Sequence, residues 1–349
     1  MKKITPLIKS FFRSKKSIKA IILLIFIIFI YISFYYYSMK KKITVSEEIL
    51  DIINNHVEEC IKYEDKREQK QMFMKLYHPM IDPVNITPTT AVFLYHHKVK
   101  FIIKRVIFRE DSPTQEDVIS MSCKSDYIMK TYSTLRREYE IKEWDEYQET
   151  EITKKRTIIW LLCEYLPIKI SQREINKNEE KIKKIAKDVL LGLKYLHDRN
   201  IAHLDIKIAN IMGTFTNGII SYKLIDLGYA RDLSLNGIKG TEEVYIPKKS
   251  FGTFPYKPPE IVKENVHALK SDVYCVGAVV WFLSIGYIPF YYEGEKDVDL
   301  FRKFVSGKVK LKFKDSSSEL LRDFVTKAMT RDRNERPSVE KMLQHPFLY

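Results

Sequence analysis

The sequence predicts an α+β chain of two lobes, a small strand-rich one followed by a larger helical one, with a single membrane-spanning helix ahead of both. Three observations carry this. Residues 20–39 (AIILLIFIIFIYISFYYYSM) contain no charge. Between residues 90 and 164, short runs rich in Val, Ile, Phe and Thr have the composition of strands on a half-buried sheet. From Glu179 onward, apolar residues recur at helical spacing over long stretches. Strands first and helices afterwards is an α+β layout, and no internal repeat interrupts it.

Taken in order, residues 1–19 form a basic N-terminal segment and residues 20–39 the spanning helix. As a helix, twenty residues cover about 30 Å, the thickness of a hydrocarbon core. Lys15, Lys16 and Lys19 precede the run and Lys40, Lys41 and Lys42 follow it, while Tyr35, Tyr36 and Tyr37 suit an interfacial aromatic belt. A cleaved signal peptide is the competing reading, but no small-x-small cleavage site follows the apolar run. The formal charge of +14 is located here: residues 1–42 hold ten Lys and Arg and no acid, which leaves 49 basic against 45 acidic residues in the remainder. The basicity is thus a membrane-flank feature, and a nucleic-acid partner is not expected. Cys60, Cys123, Cys163 and Cys275 lie far apart, without the spacing of a metal site or a disulfide framework.

Residues 40–79 read as a juxtamembrane helical segment, with Ile49, Ile53, Val57 and Ile61 at four-residue steps and Thr44-x-x-Glu47 as a capping box. Pro79, Pro83 and Pro88 then mark a domain boundary near residue 80. Residues 90–95 and 99–108 are predicted strands. The polar run 109–125 reads as an inserted loop, residues 132–148 as a helix and residues 157–164 as a further strand.

The chemistry is concentrated in HLDIKIAN (residues 203–210) and in Asp226-Leu227-Gly228, sixteen residues after Asn210. Further on stand GTFPYKPPE (252–260), Asp272 in SDVYCVGAVVWFL, Arg336-Pro337 and His345-Pro346-Phe347. In this order and at these intervals the segments resemble the eukaryotic protein kinase family, of serine/threonine type.

That resemblance implies a bilobal kinase-like domain over residues 80–349, with the lobes at 80–166 and 167–349. It also implies ATP and Mg²⁺ as cofactors and a protein substrate. Asp205 would orient the acceptor hydroxyl and Lys207 meet the transferred phosphate, while Asn210 and Asp226 would hold Mg²⁺. Phe101-Ile102-Ile103-Lys104 resembles the strand whose lysine touches the α- and β-phosphates. Its carboxylate partner is expected on the following helix as Glu138, with Glu140 and Glu143 as alternatives. In TIIWLLCEYLP, Cys163 takes the place of the residue guarding a back pocket, predicted to be roomy, and Glu164 to Leu166 would offer backbone groups to adenine. Thr253 and Lys207 favour Ser/Thr over Tyr acceptors. Glu260 and Arg336 would form a buried pair, and Asp272 would brace the catalytic loop.

Two departures stand out. No glycine occurs before Gly192, so the glycine-rich phosphate lid is missing, and its place falls at Thr87-Pro88-Thr89-Thr90. Leu204 replaces an arginine that in the family pairs with an activation-loop phosphate. The sequence therefore implies a membrane-anchored serine/threonine kinase, with a pseudokinase scaffold as the alternative. The side of the membrane stays open: seven Lys and Arg before the span against three just after it favour a luminal or extracellular domain, whereas ATP supply favours the cytosol. Nothing in the sequence indicates an oligomeric state.

Overall fold

A computed structural model describes residues 81–349 apart from 88, 97–99, 110–113, 146–149, 172–174, 176–177, 217, 237–242, 246–251 and 293–294. The predicted segments at 1–19, 20–39 and 40–79 lie outside the described residues. Among those described, no helix is long and apolar enough to cross a membrane.

The small lobe is an antiparallel five-stranded sheet of β1 (Ile81–Ile86), β2 (Thr90–His96), β3 (Lys100–Arg109), β4 (Thr131–Asp145) and β5 (Thr150–Glu164), in the order β1-β2-β3-β5-β4. Side chains alternate faces along a strand, so Lys104 shares a face of β3 with Ile102, Val106 and Phe108. That face packs with Ile159, Leu161 and Cys163 of β5. Between β3 and β4 lies α1 (Glu116–Ser122).

Two expectations are corrected here. The region 109–125 is not merely a loop, because it contains α1. Residues 132–145 are not a helix, because β4 runs through them and pairs with β5 from Thr131↔Cys163 out to Asp145↔Thr150; the end of the predicted helix, 146–148, lies outside the described residues. The physical reason is pairing: fourteen residue pairs along the two strands satisfy the backbone groups that face each other across a long antiparallel ladder. Along it, charged residues alternate with Tyr139 and Ile141, and such a strand reads in sequence like the solvated face of a helix.

The large lobe is built on α2 (Glu179–His197) and α5 (Leu269–Ile285). Asn178 caps α2 by accepting from Lys181 N at 3.0 Å, and Ile182, Ile185, Val189, Leu193 and Leu196 form its buried stripe. Helix α5 is buried along nearly its whole length, the pattern of a central core helix. Gly277 is required there, since a Cβ would stand 2.6 Å from Met329 Cγ and 2.8 Å from Ala328 Cβ. Around these lie β6 (Ile168–Lys169), β7 (Ile201–Ala202), the hairpin β8 (Ile211–Thr216) and β9 (Ile219–Leu224), β10 (Arg231–Asp232), α3 (Leu233–Asn236) and β11 (Glu243–Tyr245). Then follow α4 (Pro259–Glu264), β12 (Val266–Ala268), the pair β13 (Tyr291–Tyr292) and β14 (Glu295–Lys296), α6 (Val298–Val305), α7 (Glu319–Ala328) and α8 (Val339–Leu343). One apolar cluster joins α2, α5, α6, α7 and α8.

Candidate active site

The loop from His203 to Asn210 is held from beneath by Asp272, in the first turn of α5. Asp272 is fully buried and accepts from His203 N at 2.8 Å and Leu204 N at 2.9 Å, with His197 Nε2 at 2.9 Å. Two backbone N–H groups that no strand could satisfy are thereby paired. Behind them, Arg336 makes a bidentate pair with Glu260 at 2.7 and 3.0 Å, both side chains out of solvent.

Above this base, three side chains converge on Asp205. Its Oδ1 accepts from Thr253 Oγ1 at 2.7 Å, and its Oδ2 accepts from Lys207 Nζ at 2.7 Å and Asn210 Nδ2 at 3.0 Å. Lys207 also donates to Thr253 Oγ1 at 2.8 Å. The carboxylate is 4% exposed, so its rotamer is fixed by these partners. Asn210 Nδ2 also donates to the Asp205 carbonyl at 2.9 Å, which leaves Oδ1 as the atom this amide can offer to a cation.

The small lobe contributes Lys104. Its Nζ lies 2.5 Å from Glu116 Oε1 and 2.7 Å from Asp226 Oδ1, so one ammonium joins α1, β3 and the Asp-Leu-Gly turn. Burial works against the Lys104 charge, yet the two carboxylates together raise its pKa above the usual lysine value. Burial likewise opposes the Asp226 carboxylate, but Lys104 outweighs it and brings Asp226 down to about 2. Glu116 goes the other way: burial pushes its carboxyl up, more than Lys104 pulls it down. Its Oε2 is buried without a partner among the described residues. Gly228 permits this closeness, for a Cβ there would meet Asp226 Oδ1 at 3.1 Å and Glu116 Oε2 at 3.3 Å.

Glu116 is the partner that the sequence reading missed. Glu138, predicted for that role, stands on β4 with its side chain exposed, and Glu140 and Glu143 lie on the same strand. The available signal was Thr114-x-Glu116-Asp117: a hydroxyl two residues ahead of two acids, as at a helix start. In the structure Thr114 Oγ1 accepts from Glu116 N at 3.1 Å.

At the place of the missing lid, the β1–β2 connection closes on itself. Thr87 N donates to Thr90 O at 2.7 Å, and Thr90 N donates to Thr87 Oγ1 at 2.9 Å. Two amides that could face a phosphate are thus engaged within the turn, and Pro88 has none. On the opposite wall, Glu164 Oε1 accepts from Lys130 N at 2.6 Å and Lys223 Nζ at 2.7 Å, and Leu166 is buried. Cys163 is buried beside Thr131, and burial pushes its thiol up to about 12. The space behind it is not the roomy pocket that a small side chain predicts. Met129, Leu161 and Leu224 line a cavity on the scale of a single water molecule.

Hard oxygen donors fit magnesium, which takes one or two carboxylates and fills its octahedron with phosphate and water. Among the described residues, no group of three or more His, Cys, Asp and Glu could hold a metal unaided. The donor set of Asp226 and Asn210 therefore fits Mg²⁺ held jointly with a nucleotide.

Leu204, at the arginine's place, has φ 65° and is 2% exposed. It packs with Ala202, Leu233, Val244 and Leu269, which joins the catalytic loop to α3 and β11 by apolar contact. The same segment is pinned by β10 pairing with β7, by β11 pairing with β12, and by Arg333 bridging Glu243 and Glu264.

The protein kinase domain family model matches residues 92–348. A probable serine/threonine-protein kinase of Dictyostelium discoideum, mkcD, is 31% identical over 199 residues, 56% of this chain and 29% of that protein. Mitogen-activated protein kinase kinase kinase 19 of Homo sapiens is 35% identical over 165 residues, 47% of this chain and 12% of its own. Death-associated protein kinase 2 of Homo sapiens is 31% identical over 180 residues, 51% of this chain and 46% of its own. In all three the match spans less than half of the relative's length.

Proposed function

Because the chain belongs to the protein kinase domain family, we propose that it is a serine/threonine protein kinase, transferring the ATP γ-phosphate to protein hydroxyls. The observation that carries this reading is the joint assembly of Lys104, Glu116 and Asp226 on one side and Asp205, Lys207, Asn210 and Thr253 on the other.

Phosphoryl transfer asks for positioning and charge neutralisation more than for covalent help. Asp205, held by three donors, offers a carboxylate that can orient a substrate hydroxyl and take its proton. Lys207 places a compact positive charge within reach of the same oxygen, where phosphate charge accumulates. Thr253 ties the peptide-facing segment to Asp205 and favours Ser or Thr acceptors over the longer Tyr. Lys104, kept charged by Glu116, is poised for the non-transferred phosphates. Bound magnesium would supply neutralisation of phosphate charge, with Asp226 and Asn210 as its protein ligands. The reading extends to a single-pass anchor at residues 20–39.

A second reading, a nucleotide-binding pseudokinase, is favoured by the self-satisfied Thr87–Thr90 turn. Transfer of labelled phosphate by the full chain with Mg²⁺ and ATP separates the two. Asp205→Asn is expected to lower it by about 10²–10⁴-fold, the range of general acid–base contributions, and Asp226→Ala to abolish it. Equal incorporation by the parent and both variants sinks the kinase reading. Nucleotide binding without transfer by the parent selects the pseudokinase.

A further inference from the structure

Away from the catalytic cleft, residues 302–314 hold six Lys and Arg and no acid. Without this stretch, residues 43–349 contain 43 basic and 45 acidic residues, so the positive excess of that whole region resides in thirteen positions. We infer that these residues form a basic ridge that docks the large lobe on an anionic lipid surface. The inference is independent of phosphoryl transfer.

The ridge is built by packing. Val309, Leu311 and Phe313 are half-buried against the main core, which turns the intervening Lys308, Lys310 and Lys312 outward. The backbone is fastened at two points: Trp281 Nε1 donates to the Lys312 carbonyl at 2.7 Å, and Arg331 Nη2 lies 3.3 Å from the Phe304 carbonyl. Arg302 and Lys303, in the last turn of α6, continue the exposed row. Among the described residues Lys303, Lys308, Lys310 and Lys312 make no ion pair, and the Arg302–Asp299 contact is open to solvent on both sides. Like charges gathered in this way repel one another until a polyanion screens them.

The side-chain chemistry selects the polyanion. Five of the six cations are lysines, hydrated point charges without the planar fork that reads a single carboxylate or phosphate bidentately. Such a row suits a diffuse anionic field. Phe301 and Phe304 beside it are buried, so the ridge offers no stacking platform of the kind that accompanies single-stranded nucleic acid binding. Clusters of four to eight basic residues bind anionic leaflets, each residue contributing about fivefold in partitioning. The inference rests on the proposed anchor at residues 20–39, which would bring a bilayer to the same chain.

The test uses the full chain reconstituted in vesicles of phosphatidylcholine alone or with phosphatidylserine, with lysine acylation read by mass spectrometry. On anionic vesicles Lys303, Lys308, Lys310 and Lys312 should label several-fold more slowly, Lys263 should not change, and about 0.5 M salt should remove the protection. In the K308E/K310E/K312E variant, Lys303 should lose its protection while an unchanged thermal unfolding midpoint shows the fold intact. Equal labelling on neutral and anionic vesicles overturns the proposal. So does protection by soluble polyglutamate or an oligonucleotide at charge concentrations where anionic vesicles give none.

Discussion

The two sides of the cleft are held by different physical means. On the large-lobe side, Asp272 and the Glu260–Arg336 pair are withdrawn from water and fasten loop backbone to helix. On the small-lobe side, Glu116 sits on a helix of seven residues, with Val118 and Met121 exposed, and that helix is tied to β4 through Arg136, which is 43% exposed. One side is a fixed frame. The other is a light element whose position depends on a few polar contacts, and local stability differs across a structure for such reasons.

The frame breaks hardest at Asp272. Asp272→Ala strips two buried backbone N–H groups and His197 of their acceptor at once. Removing one partner from a buried charged network costs about 3–5 kcal/mol. Thermal or denaturant unfolding should record a loss of that size for the whole domain, together with loss of transfer. A variant that lost activity at unchanged stability would mean that Asp272 is no part of a frame.

The same contrast explains what the sequence could reveal. Asp205, Lys207 and Asn210 lie within six residues of one another, so their grouping is written in local spacing, and Asp226 follows at a short interval. Small-lobe pairing is tertiary. Glu116 reaches Lys104 only because α1 folds under the sheet, and the one local mark on its short acidic turn, the Thr114 hydroxyl ahead of Glu116 and Asp117, is one that a polar loop also carries. Glu138 looked better placed because a charged strand paired on one side imitates a solvated helix. Leu204 was legible as a missing arginine, but its apolar neighbours Leu233 and Val244 come from elements whose positions the sequence does not state.

Substitution of the two glutamates tests the light side directly. Glu116→Gln should reduce transfer by about 100-fold, equivalent to about 2.7 kcal/mol, while Glu138→Gln stays within about twofold. Because the amide keeps the shape of Glu116 and Lys104 keeps Asp226 as its ion-pair partner, the unfolding midpoint should fall less than for Asp272→Ala. Steady-state kinetics alongside calorimetry checks both halves of this expectation. Equal effects of the two substitutions would remove Glu116 from its assigned role.

A smaller effect is expected where the frame extends to the segment after Asp226. Leu204→Ala keeps a non-glycine residue at φ 65° and so isolates the packing of Leu204 with Leu233, Val244 and Leu269. A buried Leu→Ala change costs upward of about 2 kcal/mol. Hydrogen exchange should show faster opening at β10 and β11, with α2 and α5 unaffected. Uniform acceleration over the large lobe would place Leu204 inside the frame instead of at its margin.

The smallest effect belongs to Arg136→Ala. Arg136 Nε and Nη2 donate to Asp117 at 2.9 and 2.8 Å, and Nη2 reaches toward the Thr114 carbonyl at 3.4 Å, so a single side chain ties the start of α1 to β4. The guanidinium is partly exposed, which limits such a pair to about 1 kcal/mol. Global stability should scarcely move. What should move is the fraction of molecules in which α1 holds Glu116 against Lys104, read as a several-fold fall in transfer that lower ionic strength does not restore. Arg136→Lys should recover only part of it, because an ammonium cannot reproduce the two-point contact with Asp117. If Arg136→Ala left transfer at the parental level, Lys104 and the buried Ile119 would suffice to hold α1, and the small-lobe side would be no lighter than the large.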